Sequence, residues 1–521
     1  MKIVFVCTGN ASRSAVAEVI LKKMIADAGI MGVEVGSCGT KVPDGLCRED
    51  VMCRIAAESG YRMGGKAIPM SEERLNSADL IIVMTEQHRK EVTRLLSYSH
   101  WDRIVRFNDY CFGESTDLPD PHYQTEHVYR TCFATVERGC EEIIRKLRIR
   151  ASGQLQNKCR GSLVGGAVGD ALGYEVEFIS LSAIRNRFGD NGISDYVPDN
   201  NGIAEFSDDT QMSLFTSEGL LTAIAHGKAL EKNILPYIST AYINWYHTQC
   251  RPPISLPESW LSNLKALWAC RAPGVTCMSA LQAVSKADGN PVINNSKGCG
   301  GVMRVAPIGI FSATHPGILD IEQAGYLAGQ AADVTHKHPL STYSSMALAM
   351  IVAECMAYEN IDRDKFKSIV MDRVFGQMCL RFKDDKHLAE LHSLVAKALE
   401  LAVSDKTDAC SIRELGEGWV AEETLAIAIF SVMRHIDDFG KCICSAVNHD
   451  GDSDSTGAVA GNIIGAILGY SAIPDKYTDN LELHDVLVSV ADDLGSFSAD
   501  EQMHARYRDH KPYGINPSLL I

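Results

Sequence analysis

The sequence predicts a multidomain protein in which an α/β domain with a doubly wound parallel sheet precedes an all-α domain. Three observations lead to this prediction. The 521 residues exceed the size of one ordinary domain. Over the first 150 residues, short apolar runs alternate with amphipathic stretches, which is typical of repeated β–α units. Beyond residue 157 this alternation stops, and stretches rich in alanine and leucine with helical periodicity follow.

Composition and charge narrow the class of protein. Apolar residues make up 46% of the chain, which supports well-filled cores. Residues 1–150 carry 21 basic and 21 acidic side chains, whereas the remainder carries 29 and 45, so the whole net charge of −16 lies beyond residue 150. An acidic second part binds nucleic acid poorly and is a natural host for cations. We therefore expect no nucleic-acid partner.

The cysteines and the apolar runs indicate the cellular compartment. The 17 cysteines are an odd number without zinc-site spacing, which favours a reducing cytosol over a disulfide framework. The start Met1–Val6 reads as a strand, and no signal peptide is visible. The longest apolar run, Gly457–Ile473, is rich in glycine and follows an acidic cluster, so we interpret it as a core helix. These features predict a cytoplasmic protein with no membrane partner.

The first predicted domain, residues 1–150, alternates strands and helices. Because function in a doubly wound sheet lies at the carboxyl ends of its strands, the loop after the first strand is the first candidate site. The predicted strands are Lys2–Val6, Gly32–Gly36, Asp79–Met84 and Arg103–Phe107, and the main predicted helices are Ser14–Ala28 and Glu126–Arg148.

This loop, Cys7–Ser14, combines a cysteine, a glycine and an arginine directly before a helix. Gly9 permits a tight turn, and the helix start aims backbone N–H groups and positive dipole charge at one point. This field favours the nucleophilic thiolate form of Cys7, and the planar Arg13 guanidinium suits a tetrahedral oxyanion. Another cysteine and arginine with the same spacing lie inside a predicted helix, so the position of the loop, and not the spacing, identifies the site.

The motif Cys7–Ser14, with Ser37–Thr40 and Asp79–Thr85, resembles the low-molecular-weight protein tyrosine phosphatases over residues 1 to about 148. The resemblance implies a cofactor-free enzyme in which Cys7 attacks phosphorus and Arg13 binds the oxyanion. It also implies that an acid in Asp117–Pro121 protonates the leaving group and then activates water. We prefer Asp120 to Asp117 because proline follows it. The implied phosphate-binding residues are Thr8, Gly9, Asn10, Ala11, Ser12 and Ser14.

Two departures from that family leave the substrate open. Ser12 stands where many members carry a second cysteine, so a protective disulfide with Cys7 is not available. Ala11 matches neither the bulky residue of tyrosine-directed members nor the threonine of phosphoarginine-directed ones. The pair His122–Tyr123 suits an aromatic wall for phosphotyrosine. An arsenate reductase activity, a third alternative, needs relay cysteines near Asp79–Arg94, and the sequence has none there.

The second predicted domain, residues 157–521, follows a predicted linker at Ile149–Asn157. Two of its segments, Gly161–Gly173 and Gly457–Gly469, repeat glycine at every fourth position. Because glycine lets a neighbouring backbone come close, we expect these two helices to pack against each other.

Two clusters of acidic and hydroxyl side chains precede predicted helices in this domain. Phe206–Met212 precedes the helical run Ser213–Ala225, and His449–Gly457 precedes Ala458–Gly469. Such residues also cap helices, and capping alone is the alternative interpretation. Two oxygen-rich clusters about 240 residues apart nevertheless fit a dinuclear site for hard cations better than two unrelated caps.

Residues 158–475 resemble the ADP-ribosylglycohydrolase family. The resemblance lies in Gly169–Gly173, Ser207–Thr210, Gly298–Pro307, Thr335–His336 and Gly451–Thr456. It implies two Mg²⁺ or Mn²⁺ ions that bind the distal ribose of ADP-ribosylated proteins and release ADP-ribose. Serine at position 455 favours ADP-ribosyl-arginine. The implied metal ligands are Ser207, Asp208, Asp209, Asp452, Asp454 and Ser455.

Three further residues are candidates for binding ADP-ribose: Glu177, Gly300 and Gly301. A surface salt bridge is the alternative role for Glu177, and a simple tight turn is the alternative for the two glycines. We interpret His336 and His338 as structural, and residues 476–521 carry no motif that we can interpret.

Together these features predict a multifunctional hydrolase that removes phosphate and ADP-ribose from modified proteins. The alternative is a phosphatase fused to a non-catalytic ADP-ribose-binding or structural module.

Overall fold

A computed structural model describes residues 1–28, 30, 32–151, 153–227, 233–250, 259–286, 292–496 and 506–508. Tertiary contacts divide the chain into two units. The first is Met1–Gly153 with His315–Glu322, and the second is Gln154–Thr314 with Gln323–Ile521.

The first unit contains a four-stranded parallel sheet with the strand order β2-β1-β3-β4. The second strand lies slightly later in the chain than the predicted Gly32–Gly36. It pairs with β1 from Lys2 opposite Glu34 to Cys7 opposite Gly39. The strands are β1 (Lys2–Cys7), β2 (Glu34–Gly39), β3 (Leu80–Val83) and β4 (Ile104–Arg106).

Helices cover both faces of this sheet, as the doubly wound prediction requires. Alternate residues of β1 enter two separate cores: Ile3 and Phe5 pack with Val16, whereas Val4 packs with Val92. A strand that is buried on both faces explains the unbroken apolar run at the start of the chain. The helices are α1 (Arg13–Asp27), α2 (Asp50–Glu58), α3 (Glu72–Asn76), α4 (Glu86–Thr93), α5 (Phe107–Phe112) and α6 (Glu126–Ala151), with a 3₁₀ turn at Tyr98–Arg103.

The expected linker at Ile149–Asn157 is largely helical. Helix α6 continues to Ala151, and the next helix begins at Gln154. Between them, Gly153 has a φ of 72°, a backbone conformation that favours glycine. The polar composition of this stretch therefore marks the place where one helix ends and the next begins.

The second unit is helical, as predicted. Among the described residues, none of its helices has both the length and the apolar character needed to cross a membrane. The elements are α7 (Gln154–Tyr174), α8 (Leu181–Phe188), α9 (Asp208–Ala225), α10 (Leu235–Gln249), α11 (Val275–Ser285), α12 (Ala306–Thr314), α13 (Ile321–Asp333), α14 (Pro339–Met356), α15 (Arg363–Ser368), a π-helical segment (Ile369–Phe375), α16 (Gly376–Arg381), α17 (Lys386–Ala402), α18 (Asp408–Leu415), α19 (Ala421–Arg434), α20 (Phe439–Val447), α21 (Ser453–Leu468), α22 (Asp475–Thr478) and α23 (His484–Gly495), with 3₁₀ turns at Leu261–Asn263, Lys265–Trp268, Cys299–Gly301 and Tyr470–Ala472.

The two glycine-rich helices, α7 and α21, pack against each other in antiparallel directions, which confirms the prediction from their spacing. A Cβ atom at Gly165 would lie 2.7 Å from the carbonyl oxygen of Gly461, and similar overlaps would occur at each of the other paired glycines. Glycine is therefore required along the whole contact, which we call the glycine seam. Its pairs are Gly161 with Gly465, Gly165 with Gly461, and Gly169 with Gly457.

Two polar side chains lock the register of the glycine seam. The hydroxyl of Ser162 donates to the carbonyl of Asn462 at 2.9 Å, and the Asn462 amide donates to the carbonyl of Ser162 at 2.8 Å. Both side chains are buried, so a shift of one helix along the other would leave these groups unsatisfied.

Replacement of a seam glycine by alanine should destabilise the protein. We expect Gly465→Ala to lower the free energy of unfolding by about 1–3 kcal/mol, because its Cβ would overlap the backbone of Gly161. Thermal and chemical denaturation of the full chain would measure this loss. Gly376→Ala in α16 is the control, since the nearest atom to its Cβ is 3.7 Å away. Equal stability of the two variants would contradict the role of the seam.

Candidate active sites

The loop after β1 wraps around the sulfur of Cys7. The Asn10 N–H points at Cys7 Sγ from 3.2 Å, and the Ser14 hydroxyl lies 3.0 Å from it. Asn10 adopts a φ of 51°, and its amide donates to the hydroxyls of Ser14 and Ser37 at 2.9 and 2.8 Å. Its side-chain oxygen Oδ1 accepts the Ile68 N–H at 2.8 Å. Asn10 therefore holds the loop in shape through its side chain.

Arg13 lies at the start of α1, one residue earlier than predicted, and faces the loop that carries the candidate acids. Its guanidinium donates to the carbonyl of Leu118 at 3.0 Å and forms an ion pair with Asp120. Arg13 is buried, whereas the Asp120 side chain is 46% exposed. Asp117 instead accepts hydrogen bonds from the Glu86 N–H at 2.8 Å and from Arg106 at 3.2 Å. Of the two candidate acids, Asp120 is the one in contact with Arg13.

The remaining predicted phosphate-binding residues occupy the same loop. The Thr8 hydroxyl lies 2.9 Å from His88 Nε2, and His88 Nδ1 lies 2.9 Å from the Thr85 hydroxyl. Burial, with a smaller contribution from Arg13, lowers the pKa of His88 to about 4, so this ring is neutral near pH 7. The loop backbone is also held by the Glu49 N–H, which donates to the carbonyl of Ala11 at 3.1 Å.

Glu49, which belongs to none of the sequence motifs, adds a negative charge beside this loop. Its carboxylate accepts hydrogen bonds from the hydroxyls of Ser12 and Tyr129 and lies 3.1 Å from His122 Nδ1. Burial opposes ionisation, but the hydrogen bonds from Ser12, Tyr129 and His122 outweigh it, so the pKa of Glu49 is lowered. Ser12 stands where a cysteine is common in the family that this domain resembles. Its hydroxyl thus orients the Glu49 carboxylate.

In the second unit, the two acidic clusters meet. Asp209 and Asp454 are close enough to interact electrostatically, although about 240 residues separate them. One carboxylate oxygen from each of Glu177, Asp452 and Asp454 lies within 4.8 Å of the other two. Glu177, a candidate for binding ADP-ribose, therefore lies among these carboxylates. The name acidic site is used below for Glu177, Ser207, Asp208, Asp209, Asp452, Asp454 and Ser455.

Both clusters also cap their helices, so the two interpretations of the sequence are not exclusive. The Ser207 hydroxyl accepts the Asp209 N–H at 3.2 Å, and the Asp452 carboxylate accepts the Ser455 N–H at 3.2 Å. Helices α9 and α21 begin at Asp208 and Ser453, earlier than predicted, because these caps include the acidic residues in the first turn.

Asp170 connects the glycine seam to the acidic site, a role that no sequence motif indicated. Its carboxylate accepts the backbone N–H groups of Ser207 and Thr210, each at 2.9 Å, and the Thr210 hydroxyl at 2.5 Å. It lies in α7 next to Gly169, whose backbone contacts α21. An aspartate within an apolar, glycine-rich run of the sequence was the available signal for such a role.

The acidic site brings several carboxyl groups together without a basic side chain to balance them. Burial first, and then the neighbouring Asp454, raise the pKa values of Asp208, Asp209 and Asp452 well above those of ordinary carboxyl groups. The same two causes raise the pKa of Glu177. Among the described residues, no lysine or arginine pairs with these carboxylates. A cation is therefore needed to stabilise them in the ionised form.

The residues of the acidic site fit a divalent cation. Oδ2 of Asp209 and Oε2 of Glu177 are buried and have no hydrogen-bond partner among the described residues. Buried oxygen atoms of this kind are expected to have ligands, and carboxylate and hydroxyl oxygens are the ligands that hard divalent cations prefer.

The glycine turn Cys299–Gly301 packs beside the acidic site. Gly300 and Gly301 are buried, and a Cβ at Gly300 would lie 2.8 Å from Cys277 Sγ and 2.9 Å from the His336 ring. Burial and the charge of Arg304 lower the pKa of His336 to about 3. The two glycines thus permit close packing on a neutral histidine. Burial first, and then the nearby Asp452, raise the pKa of the preceding Cys299 thiol well above its ordinary value.

Comparison with known proteins agrees with both resemblances. Residues 2–153 match the low molecular weight phosphotyrosine protein phosphatase family, and residues 151–503 match the ADP-ribosylglycohydrolase family. An uncharacterised protein of Archaeoglobus fulgidus is 25% identical over 351 residues, which cover 65% of this chain and 96% of that protein.

Two curated relatives match the first unit. A protein-arginine-phosphatase of Bacillus subtilis is 28% identical over 149 residues, covering 28% of this chain and 97% of that protein. A low molecular weight protein-tyrosine-phosphatase of Staphylococcus haemolyticus is 35% identical over 133 residues, covering 26% of this chain and 90% of that protein. Both matched families are hydrolases. The chain therefore belongs to the ADP-ribosylglycohydrolase family and carries, ahead of that domain, a low-molecular-weight phosphotyrosine phosphatase domain.

Proposed function

We propose that this protein is a bifunctional hydrolase that removes phosphoryl groups through its first domain and ADP-ribose from modified side chains through its second. For the first activity, the main support is the ion pair of Asp120 with Arg13, the residue that follows the loop around the Cys7 sulfur. For the second, it is the meeting of the two acidic helix starts, since a retired site need not keep unpaired buried carboxylates.

The phosphatase reaction uses residues of the first domain alone. The Cys7 thiolate attacks phosphorus and forms a sulfur–phosphorus bond as the bond to the leaving group breaks. Asp120 gives its proton to the leaving group, and Arg13 with the loop N–H groups holds the oxygen atoms. Asp120 then takes a proton from water, which displaces the Cys7 sulfur and releases phosphate.

Glu49 favours phosphoarginine as the substrate. A carboxylate held by Ser12 beside the phosphate loop attracts a cationic guanidinium and offers nothing to a neutral phenol ring. The similarity to a protein-arginine-phosphatase points the same way. Phosphotyrosine is the second candidate, because the rings of His122 and Tyr123 lie 3.8 Å apart and Tyr123 is 90% exposed.

In the second domain, the bond to be broken joins the anomeric carbon of the distal ribose to a side-chain atom of the target. The oxygen of water joins that carbon, and its proton passes to the released side chain. The acidic site would hold two Mg²⁺ or Mn²⁺ ions through Ser207, Asp208, Asp209, Asp452, Asp454 and Ser455. When bound, such ions hold ribose hydroxyls and activate water. Asp170 and the helix caps keep these ligands in position. Serine at position 455 favours ADP-ribosyl-arginine.

Both assignments share a chemical theme, since each leads to a modified arginine. We infer that the two domains act on arginine side chains of common target proteins. A strong preference of the first domain for phosphotyrosine peptides over phosphoarginine peptides would remove this link.

The two activities should be separable by mutation. We expect Cys7→Ser to abolish phosphatase activity and leave metal-dependent ADP-ribose release intact, because the nucleophile belongs to the first domain. Asp209→Asn should do the reverse, since it removes a charged ligand of the acidic site. Assays on phosphorylated and ADP-ribosylated proteins, with and without EDTA, would measure both. Tight ADP-ribose binding by calorimetry without turnover would instead support a non-catalytic second domain.

The role of Glu49 can be measured as a change in preference. Glu49→Gln keeps an acceptor for Ser12 but removes the charge, so kcat/KM for phosphoarginine peptides should fall by about tenfold, equivalent to ~1.4 kcal/mol. The kcat/KM for phosphotyrosine peptides should change by no more than a factor of about two to three, because one partly exposed charge contributes little energy. Glu141→Gln, an exposed change in α6, is the control. An equal loss on both substrates would show that Glu49 only holds the loop.

A further inference from the structure

Arg271 holds the backbone that leads into the first acidic cluster. Its guanidinium donates to the carbonyl of Phe206 at 3.0 Å, directly before Ser207. The same group donates to the carboxylate of Glu482 at 2.9 Å and to that of Glu205 at 2.7 Å. The side chains of Arg271 and Glu482 are each only 9% exposed. This ion pair is therefore a buried connection between distant parts of the chain.

Glu482 belongs to a short segment that pairs with the same backbone. The Ala204 N–H donates to the carbonyl of Asn480 at 2.8 Å, and the Glu482 N–H donates to the carbonyl of Ala204 at 3.0 Å. Ala204 thus forms a parallel β-bridge with Leu481. The C-terminal part of the chain, in which the sequence shows no interpretable motif, therefore supports the backbone directly ahead of the acidic cluster.

The turn that follows Arg271 also reaches the acidic site. The Gly274 N–H donates to Oδ2 of Asp208 at 3.3 Å. Within this turn, Ala272 has a φ of 48°, a backbone conformation that few residues other than glycine adopt. A strained residue of this kind persists only where the surrounding structure holds it in place. The ion pair of Arg271 supplies such a hold at one end of the turn.

The charges around Arg271 suit a position near a cation site. An unbalanced arginine there would repel a divalent cation, but the carboxylates of Glu205 and Glu482 cancel its charge. The planar guanidinium carries several N–H groups in a fixed geometry, so it can bind two carboxylates and a backbone carbonyl together. Lysine has the charge but not this geometry.

We propose that Arg271 and Glu482 are positioning residues of the acidic site, which place Ser207 and Asp208 for a divalent cation. Arg271 fixes the backbone before the cluster through its side chain, and its turn orients a carboxylate oxygen through a backbone N–H. Neither residue binds the cation itself. This inference rests on the proposed role of the acidic site as a cation site.

Hydrogen–deuterium exchange of the metal-free full chain tests the positioning without an activity assay. Arg271→Met should accelerate exchange of the backbone amides of residues 204–210 by at least about tenfold, because their hydrogen bonds lose a support. Glu482→Gln should act in the same direction, and it replaces the first variant if that protein does not fold. Glu354→Gln, which weakens another buried ion pair with Arg373, is the control and should leave these amides protected.

Two results of this exchange measurement would overturn the proposal. One is exchange at residues 204–210 that equals that of the parent protein in the Arg271 and Glu482 variants. The other is an equal acceleration in the Glu354→Gln protein, which would indicate general loosening of the domain.

Manganese binding measures the consequence for the cation. Titration of the full chain with Mn²⁺, followed by the electron paramagnetic resonance signal of the free ion, gives the Kd of the acidic site without a substrate. This Kd should rise by about tenfold or more in Arg271→Met, the usual effect of losing a residue that orients metal ligands. Arg271→Lys should also bind weakly, whereas Glu354→Gln should match the parent.

The manganese titration separates this inference from the proposed activity. Unchanged Mn²⁺ affinity in Arg271→Met would contradict the positioning role, even if metal-dependent ADP-ribose release is observed. Conversely, Mn²⁺ binding that depends on Arg271 in a protein that never releases ADP-ribose would support the positioning role and refute only the proposed activity.

Discussion

The glycine seam between α7 and α21 is the constraint on which the second domain depends. Helices with ordinary side chains pack at axial distances of about 8–10 Å, whereas paired glycines allow their backbones to touch. At the end of the seam, Gly173 lies against the backbone of Ser453, directly beside Asp452 and Asp454. Asp170, in the same helix, holds the start of α9. One helix thus positions both acidic clusters.

The acidic site illustrates how a stable scaffold can maintain an unfavourable arrangement. Burial of several carboxylates together costs free energy, because each loses hydration and repels the others. The glycine seam and the reciprocal hydrogen bonds between Ser162 and Asn462 form a rigid support. The carboxyl groups therefore cannot move apart to relieve this cost. The same preorganisation would give a bound cation its ligands at little further entropic cost, which is the usual advantage of a site built on helices.

The first domain reaches a comparable result with a loop. Asn10 tolerates its positive φ and uses its side chain to tie the loop to Ser14, Ser37 and Ile68, and its own backbone N–H points towards Cys7. Two side chains of opposite charge then lie near this loop. In the proposed phosphatase reaction, Arg13 provides the cation for an oxyanion. Glu49, oriented by Ser12, places a carboxylate beside the same loop.

The sequence by itself determined the fold classes, the parallel sheet, the glycine-rich helices and most residues of both candidate sites. These features depend on local patterns: strand and helix periodicity, glycine spacing, and clustered residues at element ends. Only the tertiary structure placed Asp170 and Glu49 beside the candidate sites and Glu177 next to Asp452 and Asp454, and it moved the starts of α9 and α21 to include their acidic residues. Each of these depends on contacts between distant parts of the chain, such as Asp170 with Ser207 or Glu49 with Ser12, and single-sequence patterns carry no information about such contacts.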